Sequence, residues 1–225
     1  MSHFLLDGSR NRVMKAPIPT PIYHLTHWRN LPSILSAGGV LSNHEMRRQG
    51  IEHQNIAYDH IQDRRENTMV FGAKGGCLHA YVPFHFAPKS PMLFTISKGN
   101  VPSYTEGQPP LVYLVSTAQT VEAAGLPFAF TDGHATMAIT EFFSDLARLD
   151  RVTWSVMNST YWNDTPEHPD RKRQRQAEFL VHQQFPVSLV SEIAVFDAGI
   201  KAQVLEILRN SGVDVPVQVR TNWYY

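Results

Sequence analysis

The sequence predicts a single α+β domain, and three observations carry that expectation. Strand-like and helix-like segments are mixed, without the regular β-α-β alternation that builds a parallel sheet. No G-x-G-x-x-G or P-loop pattern occurs, which argues against a doubly wound phosphate-binding fold. The 225 residues, 43% hydrophobic and 18% charged, suffice for one large core that needs no disulfide or metal staple. A flexible arm is expected over residues 1–16, followed by one domain over 17–225.

Taken in order, the proline-rich stretch Pro17–Pro21 is extended by its ring geometry and feeds a strand at Ile22–Leu25. Asn30 reads as an N-cap, with Leu31 and Pro32 in the first helical turn and Gly38-Gly39 at the stop. Residues 42–55 are polar without a period and read as a long loop. A short helix is expected over Ile56–Arg65. The run Tyr81–Phe86 alternates partly like a strand, but Pro83 demotes it to a sheet edge or an irregular piece. Met92–Ile96 and Leu111–Ser116 read as buried strands, and Ser116 as the cap of a helix over Thr117–Ala124 that Gly125 ends. Helices are expected over Thr140–Leu149 and Trp154–Tyr161, and a turn at Phe130–His134. Strands follow at Ala177–Val181, Ile193–Phe196 and Val215–Val219. Between the last two lies an amphipathic helix, Ile200–Asn210, with Val204, Leu205 and Leu208 inward.

Composition excludes several classes. No stretch approaches 18 consecutive apolar residues, so a membrane-spanning helix is not expected. The start lacks the apolar core of a secretory signal. Cys77 is the sole cysteine, which removes cysteine-based zinc clusters and points to a reducing cytoplasm. Lysine and arginine total 20 against 20 acidic residues. Any attraction to nucleic acid therefore has to come from local clusters rather than from net charge.

Four constellations carry chemistry. His24 and Thr26 fall on one face of the first strand, suited to a polar ligand; the His24-x-x-His27 spacing is a loose metal pattern without carboxylate or cysteine partners. In Gln62-Asp63-Arg64-Arg65, one arginine at most faces a given pocket, where it can clamp a phosphate, and solvated surface is the alternative. Phe130–His134 reads as an exposed polar tip. A basic loop from Asn163 to Gln176, with Arg171, Lys172, Arg173 and Arg175, runs straight into Ala177–Val181. Glu178 stands in a strand otherwise built for burial, so its carboxylate is either paired structurally or functional.

These residues, in order, resemble the DarT family of DNA ADP-ribosyltransferase toxins. The resemblance rests on PTPIYHLTH (19–27), NLPSIL (30–35), IAYDHIQDRR (56–65), HAYVPFHFAPKSPML (79–93), AGLPFAFTD (124–132) with His134 beyond it, the Tyr161-Trp162 pair before the basic loop, RQAEFLV (175–181) and the closing WYY. It implies an ADP-ribosyltransferase fold with a split central β core and peripheral helices, holding NAD as co-substrate without a metal. It implies Glu178 as the catalytic glutamate and Arg65 as both a phosphate contact and a catalytic residue. His24, Thr26 and Asn30 would hold the rest of NAD. His85, Met92 and His134 would face single-stranded DNA, with Arg171, Arg173 and Arg175 tracking its backbone and Phe86, Tyr161 and Trp162 stacking on bases. The family carries a tyrosine where this chain has His85, a departure at the acceptor side of the site. The implied acceptor is thymidine in single-stranded DNA; guanosine, RNA or protein acceptors and a non-catalytic nucleic-acid-binding domain are the alternatives. The implied partner is the antitoxin DarG, whose macrodomain removes the mark, and a monomer is expected.

The chemistry suits the residues. Breaking the bond between nicotinamide and ribose develops positive, oxocarbenium-like charge, which a preorganised carboxylate stabilises.

Overall fold

A computed structural model describes residues 14–56 and 59–225. The arm expected over 1–16 therefore lies outside the described residues except for its last three, which have no regular structure. Among the described residues, ten strands and eight helices build an eight-stranded sheet with helices around it, together with a separate two-stranded ribbon.

The strands are β1 (Pro21–His27), β2 (Gly39–Leu41), β3 (Tyr81–His85), β4 (Leu111–Thr117), β5 (Phe128–His134), β6 (Phe142–Phe143), β7 (Ala177–His182), β8 (Gln184–Pro186), β9 (Glu192–Val195) and β10 (Val217–Val219). The large sheet runs β10-β9-β4-β1-β3-β7-β5-β6, and β2 pairs with β8. β1 pairs with β4 along its full length, whereas it meets β3 at the single register pair Tyr23↔His85. The sheet is thus two halves that part between β1 and β3.

Pro83 sits at this parting rather than on an edge, because β3 pairs with β7 from Tyr81↔His182 to His85↔Glu178. A strand residue points its amide nitrogen and its carbonyl the same way, and the Pro83 carbonyl accepts from His24 Nδ1 at 2.8 Å. Its missing N–H therefore faces the side where no ladder with β1 forms, so nothing is left unpaired by the proline.

The helices are α1 (Leu31–Ser36), α2 (Asn43–Gln49), α3 (Asp59–Asn67), α4 (Pro91–Ser97), α5 (Ala118–Ala123), α6 (Trp154–Met157), α7 (Arg171–Gln174) and α8 (Ala198–Ser211). Several correct the sequence reading. Residues 42–55 are not one loop: Ser42 caps α2 by accepting from the Glu45 amide, and Gly50 closes it at φ +65°. Met92–Ile96 is helical because Ser90 caps α4 through the Leu93 amide and Pro91 fits its first turn. Thr117, not Ser116, caps α5. Asn30 precedes α1 without a side-chain cap bond. Phe130–His134 is not a turn but the end of β5, with a register shift between Phe130 and His134. The helix expected over Thr140–Leu149 is instead β6 followed by a 3-10 turn at Leu146–Arg151, and α6 stops at Met157. On α8, Val204 and Leu208 are buried, but Leu205 is exposed.

The main core lies between the sheet and helices α1, α5 and α8. It contains Ile22, Phe84, Phe130, Phe179 and Phe185, with Val204 and Leu208 from α8. A second core joins α4 to the chain end through Leu93, Ile96, Tyr113 and Tyr224. The main core runs under both halves of the sheet, from Ile22 and Val112 on one side of the gap to Phe84 and Phe179 on the other.

Candidate active site

The gap opens into a cleft of about 390 Å³. His24 and Thr26 line it from β1, Pro83 and His85 from β3, Glu178 from β7, Arg65 from α3, Met92 from α4 and His134 from β5. Residues from widely separated parts of the chain therefore converge where the sheet parts.

Glu178 stands opposite His85 in the antiparallel register, so their side chains leave the sheet on one face. Thr131 Oγ1 accepts from the Glu178 amide at 2.9 Å and ties β7 to β5 at this point. Arg65 Nη1 donates to Glu178 Oε2 at 2.8 Å, and the two side chains are only 11% and 6% exposed. Burial pushes the Glu178 carboxyl up, the adjacent Arg65 guanidinium is the largest influence pulling it down, and the net shift is downward. The group stays below the usual carboxylate range and ionised at neutral pH. Arg65 Nη2 is buried without a protein partner, so one donor of this fork is left for a ligand oxygen.

The histidines differ in what they present. His24 Nδ1 faces the Pro83 carbonyl and must carry the proton, which leaves Nε2 as an acceptor. His134 Nδ1 lies 3.3 Å from the Thr136 amide and 3.1 Å from its hydroxyl; accepting from the amide places the proton on Nε2. His85 Nδ1 is buried with no partner. Burial, followed by smaller charge effects, brings the His85 pKa down to about 4, so it is neutral in the working range. His27 is fully buried, accepts from the Arg29 amide and faces Glu106 at 3.6 Å; it does not join His24 as a ligand pair.

Asn30 lines the cleft, but its amide is already engaged. It accepts from the Gln54 amide at 2.7 Å and donates to the Gln54 carbonyl and to Thr26 Oγ1, each at 3.1 Å. The side chain fixes the segment after α2 against β1.

The basic loop departs further from expectation. Arg173 and Arg175 do not face a groove. Arg173 Nη2 lies 2.7 Å from Asp170 and 3.0 Å from Asp132, and its Nη1 reaches Thr140 Oγ1 at 3.1 Å. A Cβ on Gly133 would collide with the Arg173 guanidinium, so glycine is required there for this packing. Arg175 is 5% exposed and spends its guanidinium on backbone carbonyls. Arg171 donates to Ser159 Oγ at 3.0 Å and to the Tyr161 carbonyl. Lys172 and Gln176 are the loop residues that reach the cleft, and Lys172 is exposed. Of the aromatics expected to stack on bases, Phe86 and Trp162 are buried, and Tyr161 alone is exposed. Gln62 and His79 also line the cleft; only long-range folding brings them there.

A sheet that parts around a buried glutamate–arginine pair, with a basic loop leading into the glutamate strand, places the chain in the ADP-ribosyltransferase class of fold. A family model described as ssDNA thymidine ADP-ribosyltransferase, DarT, matches residues 23–225. The chain belongs to the DarT family. A DNA ADP-ribosyl transferase of Thermus sp. (strain 2.9) is 44% identical over 211 residues, covering 93% of this chain and 98% of the relative. The solved structure of Thermus sp. 2.9 DarT in complex with ADP-ribosylated ssDNA is similar at a TM-score of 0.88 and 42% identity, over 94% of this chain and 99% of that one. The same relative in complex with NAD+ gives 0.83 at 39% identity, over 94% and 100%. A Thermosipho africanus protein described as a DNA ADP-ribosyl transferase–DNA ADP-ribosyl glycohydrolase fusion is 26% identical over 86% of this chain and 47% of the fusion.

Proposed function

We propose that this chain is an NAD-dependent DNA ADP-ribosyltransferase that acts as a toxin, moving ADP-ribose from NAD to thymidine in single-stranded DNA and releasing nicotinamide. The observation that carries the reading is the 2.8 Å contact between Arg65 and Glu178 at the base of an open cleft. The cleft fits a large polar co-substrate: the buried Arg65 Nη2 and His85 Nδ1 have no protein partner.

NAD supplies a ribose bonded to a good leaving group. Glu178, held ionised, accepts from a ribose hydroxyl and stabilises the positive charge that develops as nicotinamide leaves. Arg65 keeps that carboxylate in place with Nη1 and offers Nη2 to a phosphate oxygen. His24 and Thr26 orient the nicotinamide and adenosine portions, with Asn30 bracing Thr26. On the acceptor side, His85, Met92 and His134 surround the thymine. Its ring nitrogen must release a proton to become the nucleophile, and the Glu178–Arg65 pair is the group placed to assist.

The domain spans 17–225, the protein works as a monomer in the cytoplasm, and its partner is a DarG antitoxin carrying a macrodomain. The fused transferase–glycohydrolase relative supports that pairing. The test offers label-bearing NAD to single-stranded DNA, RNA of the same sequence and bulk protein. Label on DNA alone supports the reading. Label on RNA or protein alone assigns the same fold another acceptor, and binding without NAD consumption leaves a non-catalytic domain.

A further inference from the structure

We infer that Arg175 and Tyr225 form a clasp that holds the two walls of the acceptor side of the cleft together, acting as positioning residues for DNA rather than as contacts to it. The inference rests on the DNA-transferase reading of the site.

One wall is α4, which places Pro91, Met92 and Thr95 on the cleft; the other is the basic loop, which places Lys172 and Gln176 there. The Lys89 carbonyl, just before α4, accepts from Arg175 Nε at 3.2 Å, from Arg175 Nη2 at 3.1 Å and from the Tyr225 hydroxyl at 3.0 Å. The opposite side of the same guanidinium binds the C-terminal end of α6, from which the chain leads into the loop. Nη1 donates to the carbonyls of Val156 at 2.8 Å, Met157 at 2.6 Å and Ser159 at 3.2 Å. Trp162 Nε1 closes the circuit by donating to the Tyr225 hydroxyl at 2.8 Å.

The rings reinforce these bonds. Phe94 of α4 meets Tyr225 edge-on at 5.1 Å and Trp162 at 5.8 Å. Gln108 fixes where Tyr225 sits, accepting from its amide at 2.9 Å and donating to its carbonyl. Neither Arg175, Tyr225 nor Trp162 lines the cleft. Yet Arg175 is three residues from Glu178, so the clasp sets the distance between the acceptor walls and the glutamate strand. Only a planar guanidinium with five donors can serve carbonyls on two sides at once; a lysine ammonium cannot.

Tyr225→Phe removes one hydroxyl while keeping the ring packing, and Arg175→Lys removes the fork. The expected result is an apparent KM for single-stranded DNA raised about fivefold in Tyr225→Phe and further in Arg175→Lys. In Tyr225→Phe, kcat at saturating DNA and the affinity for NAD stay within about twofold of wild type. Backbone amides of 156–176 and of 89–95 should exchange faster with deuterium in both variants. An unchanged KM for DNA with unchanged exchange in Tyr225→Phe would overturn the clasp. So would an equal loss of NAD affinity, which would mark a general loss of structure. Wild-type protein that modifies no DNA would instead defeat the functional reading, and the exchange measurement would still decide whether the clasp exists.

Discussion

Arg65 and Glu178, 113 residues apart in the chain, meet at 2.8 Å in a site that leaves both side chains nearly enclosed. The pairing keeps a buried carboxylate charged, and a charged carboxylate is what a developing ribose cation requires.

Glu178→Gln keeps the shape and removes the charge. Transfer should fall by about 10²–10³, corresponding to ~3–4 kcal/mol of lost transition-state stabilisation. Stranding Arg65 should also lower folding stability by about 3 kcal/mol. Single-turnover kinetics beside urea unfolding separate the two effects.

Arg65→Gln removes the largest influence pulling the Glu178 carboxyl down. The carboxyl should then titrate at higher pH, so the acid limb of the kcat profile should move towards neutrality while wild type stays flat there. A pH–rate profile that merely drops in height would contradict this account of the pair.

His79 and His85 are both held neutral, with pKa values brought down from 6.5 to about 4, burial being the main cause at each. A histidine whose folded pKa lies below its unfolded value stabilises the fold relative to low pH. Its contribution is complete above pH 6.5 and is lost as pH falls towards about 4. Across that window each residue steepens the stability slope by up to about 1.4 kcal/mol per pH unit. Urea unfolding at stepped pH should show the decline, and His79→Gln should flatten it.

Arg173→Ala and Lys172→Ala should separate scaffold from surface within one basic run. The first removes the partner of the part-buried Asp132 and of the more exposed Asp170 and should cost about 1–2 kcal/mol of stability. Lys172→Ala should leave unfolding nearly unchanged and reduce the salt dependence of single-stranded DNA binding by about 0.7 in log–log slope. Equal salt slopes for wild type and Lys172→Ala would remove the lysine from the interface.

The site was more legible in the sequence than the scaffold around it. A glutamate in an apolar strand is conspicuous because burial demands a reason. His24 and Thr26 were legible from the strand period. The parting of the sheet was not, since nothing local marks Pro83 as facing a gap rather than an edge. Two helices were missed although their caps are written in the chain: Ser42 with Glu45 and Gly50, and Ser90 with Pro91. The α2 segment is mostly polar and the α4 segment mostly apolar, so only their caps mark them as helices. Arg173 and Arg175 read as surface charge because their partners come from β5, α6 and the segment before α4, contacts that no local pattern announces.

The most direct test of the account is mass spectrometry of a mixed-sequence single-stranded DNA oligonucleotide after incubation with the protein and NAD, beside the Glu178→Gln variant. The account predicts the added mass of one ADP-ribose, located by fragmentation on a thymine and absent with the variant. An adduct of equal yield with Glu178→Gln, or intact NAD and unmodified DNA with the wild-type protein, would contradict it.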